Sequence, residues 1–93
     1  MKEKSFKNNK KILMYEKHIA WIENEMLEKL NIILKNKKIS RHNWIKEQCM
    51  QDFSLELTNK ESIANLDIIV KKNMYNDKAE WLREKIREEI KSY

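Results

Sequence analysis

Hydrophobic and polar residues alternate strictly in the middle of the chain. Phe53, Leu55 and Leu57 are separated by Ser54 and Glu56, which is the period of a strand with one buried face. The pattern therefore predicts a single strand over these five residues. Because a lone strand can neither pair its backbone groups nor bury its apolar face, this strand needs a partner.

Helical spacing replaces the alternation after this strand. Thr58 and Glu61 stand in the S/T-x-x-E relation of a capping box, which predicts a helix start. The apolar stripe that follows consists of Ile63, Leu66, Ile69 and Val70. Asn76 is a good N-cap and predicts a second helix, so the order becomes strand, helix, turn, helix. The stripe of the second helix consists of Ala79, Leu82, Ile86 and Ile90.

The N-terminal half predicts one long amphipathic helix over about 11–35 and, after a break, a short helix over about 41–50 that Ser40 caps. The main apolar row of the long helix is Ile12, Tyr15, Ile19, Ile22, Met26, Leu30 and Ile33. A second row beside it is Leu13, Ala20, Leu27 and Leu34. So wide a stripe predicts packing on a second subunit or docking of a different protein. Trp44 lies on the apolar side of the short helix.

Composition limits the class of protein. A chain of 93 residues makes one small domain with an appendage, here a basic tail and helical extension over 1–51 before residues 52–93. The absence of Gly and Pro favours helices joined by Asn, Ser and Lys breaks. A single cysteine excludes an internal disulfide and suits a reducing cytoplasm. Short apolar runs predict neither a signal peptide nor a membrane span.

The run from Leu66 to Arg87 resembles the ribbon–helix–helix (Arc/MetJ-type) DNA-binding family. Family members typically carry an L-D-x-L stretch, a G-[YF] turn and an R-S-E-x-[IL]-R helix start at this spacing. The matching positions are Tyr75, Glu80, Leu82 and Arg83. Met74 stands where the family usually has Gly, and Lys78-Ala79 replaces Arg-Ser. With the strand in front, the resemblance covers about residues 52–92.

This resemblance implies a mainly α homodimer, in which one short strand from each chain forms an antiparallel ribbon. The ribbon enters the major groove of double-stranded DNA, and the start of the second helix holds a phosphate. The implied base-facing residues are Ser54, Glu56 and Thr58, and the implied phosphate clamp is Asn76, Asp77 and Lys78. The implied dimer core is Phe53, Leu55, Leu57, Leu66, Ile69, Leu82 and Ile86. The expected function is a transcriptional repressor of a plasmid, phage or toxin–antitoxin operon.

The net charge of +5 lies in the first half of the chain. Residues 1–50 hold twelve Lys and Arg against six acids, whereas residues 51–93 hold eight against nine. Because the expected ribbon is acidic, we expect phosphate contacts from basic residues outside it. These are Lys35, Lys37, Lys38, Arg41 and Lys46. The alternative is a protein-interaction module, such as an antitoxin, partition adaptor or inhibitor, that docks through the acidic ribbon or the N-terminal helix.

Catalysis and metal binding are not expected. His18, His42 and Cys49 lack the paired spacing of a metal site, so we expect neither a metal nor a cofactor. The carboxylates alternate with Lys and Arg as they do on solvated helix surfaces. Neither a Gly-rich phosphate loop nor an internal repeat is evident in the sequence.

Overall fold

The computed structural model describes residues 9–14 and 17–93, which form four helices and one two-stranded antiparallel sheet. The elements are β1 (Asn9–Met14), β2 (Lys17–Glu23), α1 (Asn24–Lys37), α2 (Arg41–Phe53), α3 (Lys60–Lys72) and α4 (Lys78–Ser92). The mainly helical fold class is therefore confirmed. Within the described ranges, no helix has the length and apolar character needed to cross a membrane.

An antiparallel hairpin, β1–β2, replaces the first half of the predicted long helix. The prediction of a helix over about 11–35 is wrong before Asn24 and correct after it. The reason is that Ile and Trp residues suit a pleated surface, and each strand satisfies the backbone groups of the other. Residues 1–8 of the predicted basic tail lie outside the described residues, as does Tyr15 of the predicted apolar row.

A β-bulge interrupts the hairpin. Ile12 lies opposite Ala20 while Leu13 lies opposite His18, so Ile19 is the extra residue of β2. Ile19 and its neighbour Ala20 are both buried, although consecutive residues of a regular strand point to opposite faces. The bulge therefore changes which side chains of β2 face outward.

The predicted strand over 53–57 is wrong, because α2 continues through Phe53 and residues 54–59 contain no strand. Ser54 adopts the left-handed conformation, with φ of 55°, and closes the end of α2. Leu57 is buried and Leu55 is half-buried, whereas Ser54 and Glu56 are exposed. The alternation thus predicted burial correctly, but the place beside β2 is taken by β1.

The four helices form two pairs that are joined by the same kind of turn. The first helix pair is α1 and α2, and the second helix pair is α3 and α4. In the turn of the first helix pair, Lys38 adopts the left-handed conformation, with φ of 60°. In the turn of the second helix pair, Met74 does so, with φ of 76°. The equivalent hydrogen bonds are Ile39 N to Leu34 O at 3.1 Å and Tyr75 N to Val70 O at 3.0 Å. Both turns thus return a backbone amide to the preceding helix in the manner of a Schellman motif.

Side-chain caps fix the starts of three helices. Ser40 caps α2, as the sequence predicted. Asp77 caps α4 and Asn59 caps α3, so the predicted caps Asn76 and Thr58 are each wrong by one residue. The short helix predicted over about 41–50 is confirmed and extends to Phe53.

One hydrophobic core joins the hairpin and both helix pairs. It contains Ile12 and Ile22 of the hairpin together with residues of every helix. Of the predicted dimer core, the completely buried residues are Leu57, Leu66, Leu82 and Ile86, and the partly buried ones are Phe53, Leu55 and Ile69. The chain achieves this burial by itself, so a homodimer stays a prediction.

Candidate nucleic-acid interface

The hairpin has an apolar inner face and a polar, aromatic outer face. Ile12 and Ile22 are completely buried beneath it. Lys11, His18 and Trp21 are exposed on the outside, and Lys11 lies directly opposite Trp21 across the two strands. Trp21 keeps 44% of its surface accessible, although a tryptophan normally buries most of its ring.

Two nitrogen-bearing side chains contact the Trp21 ring. Lys11 Nζ lies 5.4 Å from the ring centroid, within the range of a cation–π contact. The His18 ring lies 5.7 Å away, centroid to centroid, at an interplanar angle of 54°. The outer face therefore presents an aromatic ring with two hydrogen-bonding side chains beside it.

Arg83 of α4 forms hydrogen bonds to two residues of β2. Its Nη2 donates to Trp21 O at 3.4 Å, and its Nε donates to Glu23 Oε1 at 2.8 Å. The hydrogen bond from Arg83 holds the pKa of the Glu23 carboxyl below its ordinary value of 4.5. Glu23 is the one acid among the hairpin side chains described, those of 10–12 and 18–23, and it is neutralised by this ion pair.

The start of α4 lies at the β2 edge of the hairpin. A shallow cavity of about 350 Å³ separates them and is lined by Trp21, Asp77, Lys78 and Arg83, among other residues. The predicted phosphate clamp is thereby brought close to the hairpin. Any ligand on the outer face at this edge would also meet the first turn of α4.

The polar groups of the predicted phosphate clamp have partners within the chain. Asn76 N donates to Glu80 Oε1 at 2.6 Å, and Asp77 Oδ1 accepts from Glu80 N at 2.9 Å. Lys78 Nζ lies 3.3 Å from Asp67 Oδ2. The carboxylates of Glu80 and Asp77 thus stand where the sequence predicted an external phosphate.

The other predicted DNA contacts lie away from the strands. Ser54, Glu56 and Thr58 belong to the connection between α2 and α3, where Thr58 Oγ1 is 3.4 Å from Ser62 Oγ, so they do not line a ribbon. The five predicted basic residues follow the first helix pair around its turn. They are Lys35 and Lys37 in α1, Lys38 in the turn, and Arg41 and Lys46 in α2. Lys37 is paired with Glu89.

Two reciprocal hydrogen bonds hold the helix pairs together beneath the hairpin. Trp44 Nε1 of α2 donates to Glu89 Oε1 of α4 at 3.0 Å. Trp81 Nε1 of α4 donates to Asp52 Oδ2 of α2, also at 3.0 Å. Each acceptor also binds a lysine, Lys37 at Glu89 and Lys85 at Asp52.

These contacts shift two ionisation equilibria. Burial raises the pKa of Glu89, but hydrogen bonds from Lys37 and Trp44 outweigh it, so the net pKa lies below the ordinary 4.5. Burial likewise lowers the pKa of Lys85, but hydrogen bonds to Glu88 and Asp52 outweigh it, so its net pKa is raised. Both groups are therefore stabilised in their charged forms in the folded chain.

Sequence reasoning missed Lys11, His18 and Trp21 as site residues. The hairpin does not show a clean period of two, because the bulge at Ile19 puts two consecutive residues inside. The available signal was Trp21 itself, a large aromatic residue that stands outside both predicted apolar rows.

The described residues show no group of three or more His, Cys, Asp or Glu that could hold a metal ion. Cys49 is buried, and its burial, with a smaller contribution from the charge of Asp52, raises the pKa of its thiol from 9.0 to about 12. A thiol with so high a pKa is a poor nucleophile at neutral pH. Comparison of the chain with protein-family models, curated proteins and solved structures finds no match.

Proposed function

We propose that the protein binds double-stranded DNA through the outer face of the hairpin and acts as a sequence-specific repressor of transcription. The observation that carries the proposal is a two-stranded ribbon whose inner face is buried and whose outer face displays Lys11, His18 and Trp21. A ribbon of this width fits the major groove of B-form DNA. The helices below act as the scaffold that presents it.

The outer face offers suitable chemistry for the groove. Lys11 can neutralise a phosphate or donate to guanine, and His18 supplies a polar ring. The Trp21 ring can contact the methyl group of thymine, which is the apolar feature of the major groove. Because Arg83 neutralises Glu23, that carboxylate adds little repulsion toward the DNA backbone.

The order of elements supports the same function. The ribbon–helix–helix resemblance implies a DNA-reading strand followed by two helices. Residues 17–53 have that order, as β2, α1 and α2. The residues that carry the sequence resemblance lie in the second helix pair instead, over about 52–92. The proposal of a repressor role rests on this resemblance.

The test uses fluorescence anisotropy to measure the affinity for a labelled duplex at a series of salt concentrations. Replacing Lys11 with Ala should lower the slope of log affinity against log salt by about 0.9, the value for one lost phosphate contact. The matched control replaces Lys71 with Ala, since Lys71 is also an exposed lysine but lies in the last turn of α3. The control should leave the slope unchanged.

A second readout uses the fluorescence of Trp21. Trp44 and Trp81 are buried, with 2% and 0% of their surfaces exposed, so iodide should quench mainly Trp21. Bound duplex should protect it. Equal slopes for Lys11→Ala and Lys71→Ala, or unchanged quenching of Trp21 in the complex, would refute binding through the hairpin.

The alternative of a protein-interaction module has less support. Its acidic-ribbon face requires a ribbon over 53–57, which the chain does not form. The other docking face of this alternative, the N-terminal helix, corresponds to α1, and most apolar residues of α1 are buried in the chain's own core. Within α1, Ile32 is the large hydrophobic residue that stays exposed, at 62%.

A further inference from the structure

The two helix pairs are related to each other as the two halves of a symmetric dimer would be. Trp44 follows the cap Ser40 by four positions, and Trp81 follows the cap Asp77 by the same number. Their partners are also equivalent, since Asp52 and Glu89 each follow their own cap by twelve positions. Reciprocal Trp-to-carboxylate bonds are the pattern that an approximate two-fold axis between the pairs produces.

The core repeats in the same way. The equivalent pairs in α1 and α3 are Leu27 and Ile63, Leu30 and Leu66, and Leu34 and Val70. The equivalent pairs in α2 and α4 are Ile45 and Leu82, and Cys49 and Ile86. All ten residues are buried. The chain therefore contains both halves of an arrangement that a homodimer builds from two copies.

The ribbon follows the same rule, because a single chain supplies both of its strands. Contacts join α2 to β1 and α4 to β2, so the second helix of each pair lies beside a different strand, while α1 contacts both strands. In a symmetric dimer, the two strands of a central ribbon would be identical in sequence. Here β1 reads Asn-Lys-Lys-Ile-Leu-Met and β2 reads Lys-His-Ile-Ala-Trp-Ile-Glu.

The surface offered to a ligand is accordingly asymmetric. Lys11 on β1 faces Trp21 on β2, whereas a two-fold axis would place identical residues at equivalent positions. The bulge at Ile19 is on β2 alone within the described residues. The helix starts also differ, since α2 has no acid in its first turn and α4 has Glu80 there.

From this asymmetry we infer that one chain, by itself, recognises a duplex DNA site that lacks two-fold symmetry. The inference rests on the proposed function of the hairpin. A strand of six residues spans roughly 20 Å, which corresponds to about 6 base pairs at 3.4 Å each. The target is thus a short, directional sequence rather than a palindrome.

The experiment selects binding sites for the full chain from a pool of duplexes that carry a random segment of roughly 18 base pairs, three ribbon lengths. We expect a selected motif without dyad symmetry. Sedimentation of the complex should show one chain for each duplex. A duplex in which one half of the motif is replaced by the inverse of the other half should bind at least about tenfold more weakly, since each wrong base pair has an effect of that size.

Three other outcomes separate the inference from the proposed function. A palindromic motif bound by two chains would overturn the inference and leave DNA binding in place. Binding without any sequence preference would overturn the inference and the sequence-specific role, and would leave DNA binding through the hairpin in place. Failure to bind any duplex at low salt would overturn the proposed function itself, and the inference with it.

Discussion

The first and second helix pairs share a framework but differ in what precedes them. Each has a left-handed turn residue, a polar cap, and a tryptophan four positions later that reaches the other pair. The first pair follows the strand β2, whereas the second follows residues 54–59, which form no strand. Shared core positions therefore determine the helices, while the segment in front of each pair is free to differ.

This difference has a simple physical origin. In the described sheet, β2 pairs with β1, so residues 54–59 are not needed as its partner. The segment that precedes α3 instead closes α2, through Ser54 N to Met50 O at 3.0 Å and Leu55 N to Cys49 O at 3.2 Å. One helix pair thus carries the ribbon and the other completes the core beneath it.

The strongest test of equivalence removes each tryptophan that joins the pairs. Trp44→Ala and Trp81→Ala should each lower the free energy of unfolding by about 3–5 kcal/mol, because each deletes a buried ring and removes one of the two donors to a carboxylate. Urea denaturation measures both. Trp21→Ala is the control and should have a smaller effect than either, since Trp21 keeps 44% of its surface exposed. A large effect at one of the two buried positions and not at the other would break the equivalence.

A smaller effect tests the ionic half of the contact between pairs. Glu89 has a folded pKa below its ordinary 4.5, so its charged form contributes stability above that pH, and this contribution is lost as the pH falls through the folded pKa. Glu89→Gln should cost about 1–3 kcal/mol at neutral pH. The difference from the parent should shrink below pH 4.5.

Melting temperatures measured across the acid range check this dependence on pH. Glu61→Gln provides the control, because Glu61 is an exposed acid at the start of α3. A constant difference between the parent and Glu89→Gln at every pH would mean that ionisation of Glu89 does not stabilise the fold.

The smallest predicted effect concerns the equivalent turns. Met74→Gly and Lys38→Gly should each raise the free energy of unfolding by about 0.5–1 kcal/mol, because glycine adopts positive φ without the steric cost of a Cβ. Met74 is 91% exposed, so no core contact is lost. Asn73→Gly is the control, with φ of −96°, and should not stabilise the chain. Stabilisation by this control alone would contradict the assigned turn geometry.

The helices were largely predictable from the sequence, because their evidence is local. Ser40, the stripe that contains Leu66 and the stripe that contains Leu82 marked α2, α3 and α4 to within a few residues. The hairpin was not predictable in this way, since Ile12, Ile19 and Ile22 also fit helical spacing. Pairing between the two neighbouring strands decided between helix and strand, and the bulge removed the alternation of apolar and polar residues that would have indicated a strand.

The candidate site was hidden for the same reason. The alternation around Leu55 and Leu57 indicated a strand, and the base-facing residues were assigned from it. The chain uses that alternation only to bury Leu57 and to half-bury Leu55. Likewise, the internal repetition of the two helix pairs is carried by equivalent roles, such as Asp52 and Glu89, rather than by identical residues.

A ribbon made within one chain has a consequence for dosage. When two chains must meet to form a ribbon, the dimer predominates only above its dissociation constant, and well below that constant its concentration varies with the square of the protomer concentration. Here the hairpin joins its two strands covalently, so the ribbon assembles at any concentration. If the hairpin binds DNA as proposed, occupancy of a target far from saturation would rise with the first power of the amount of protein.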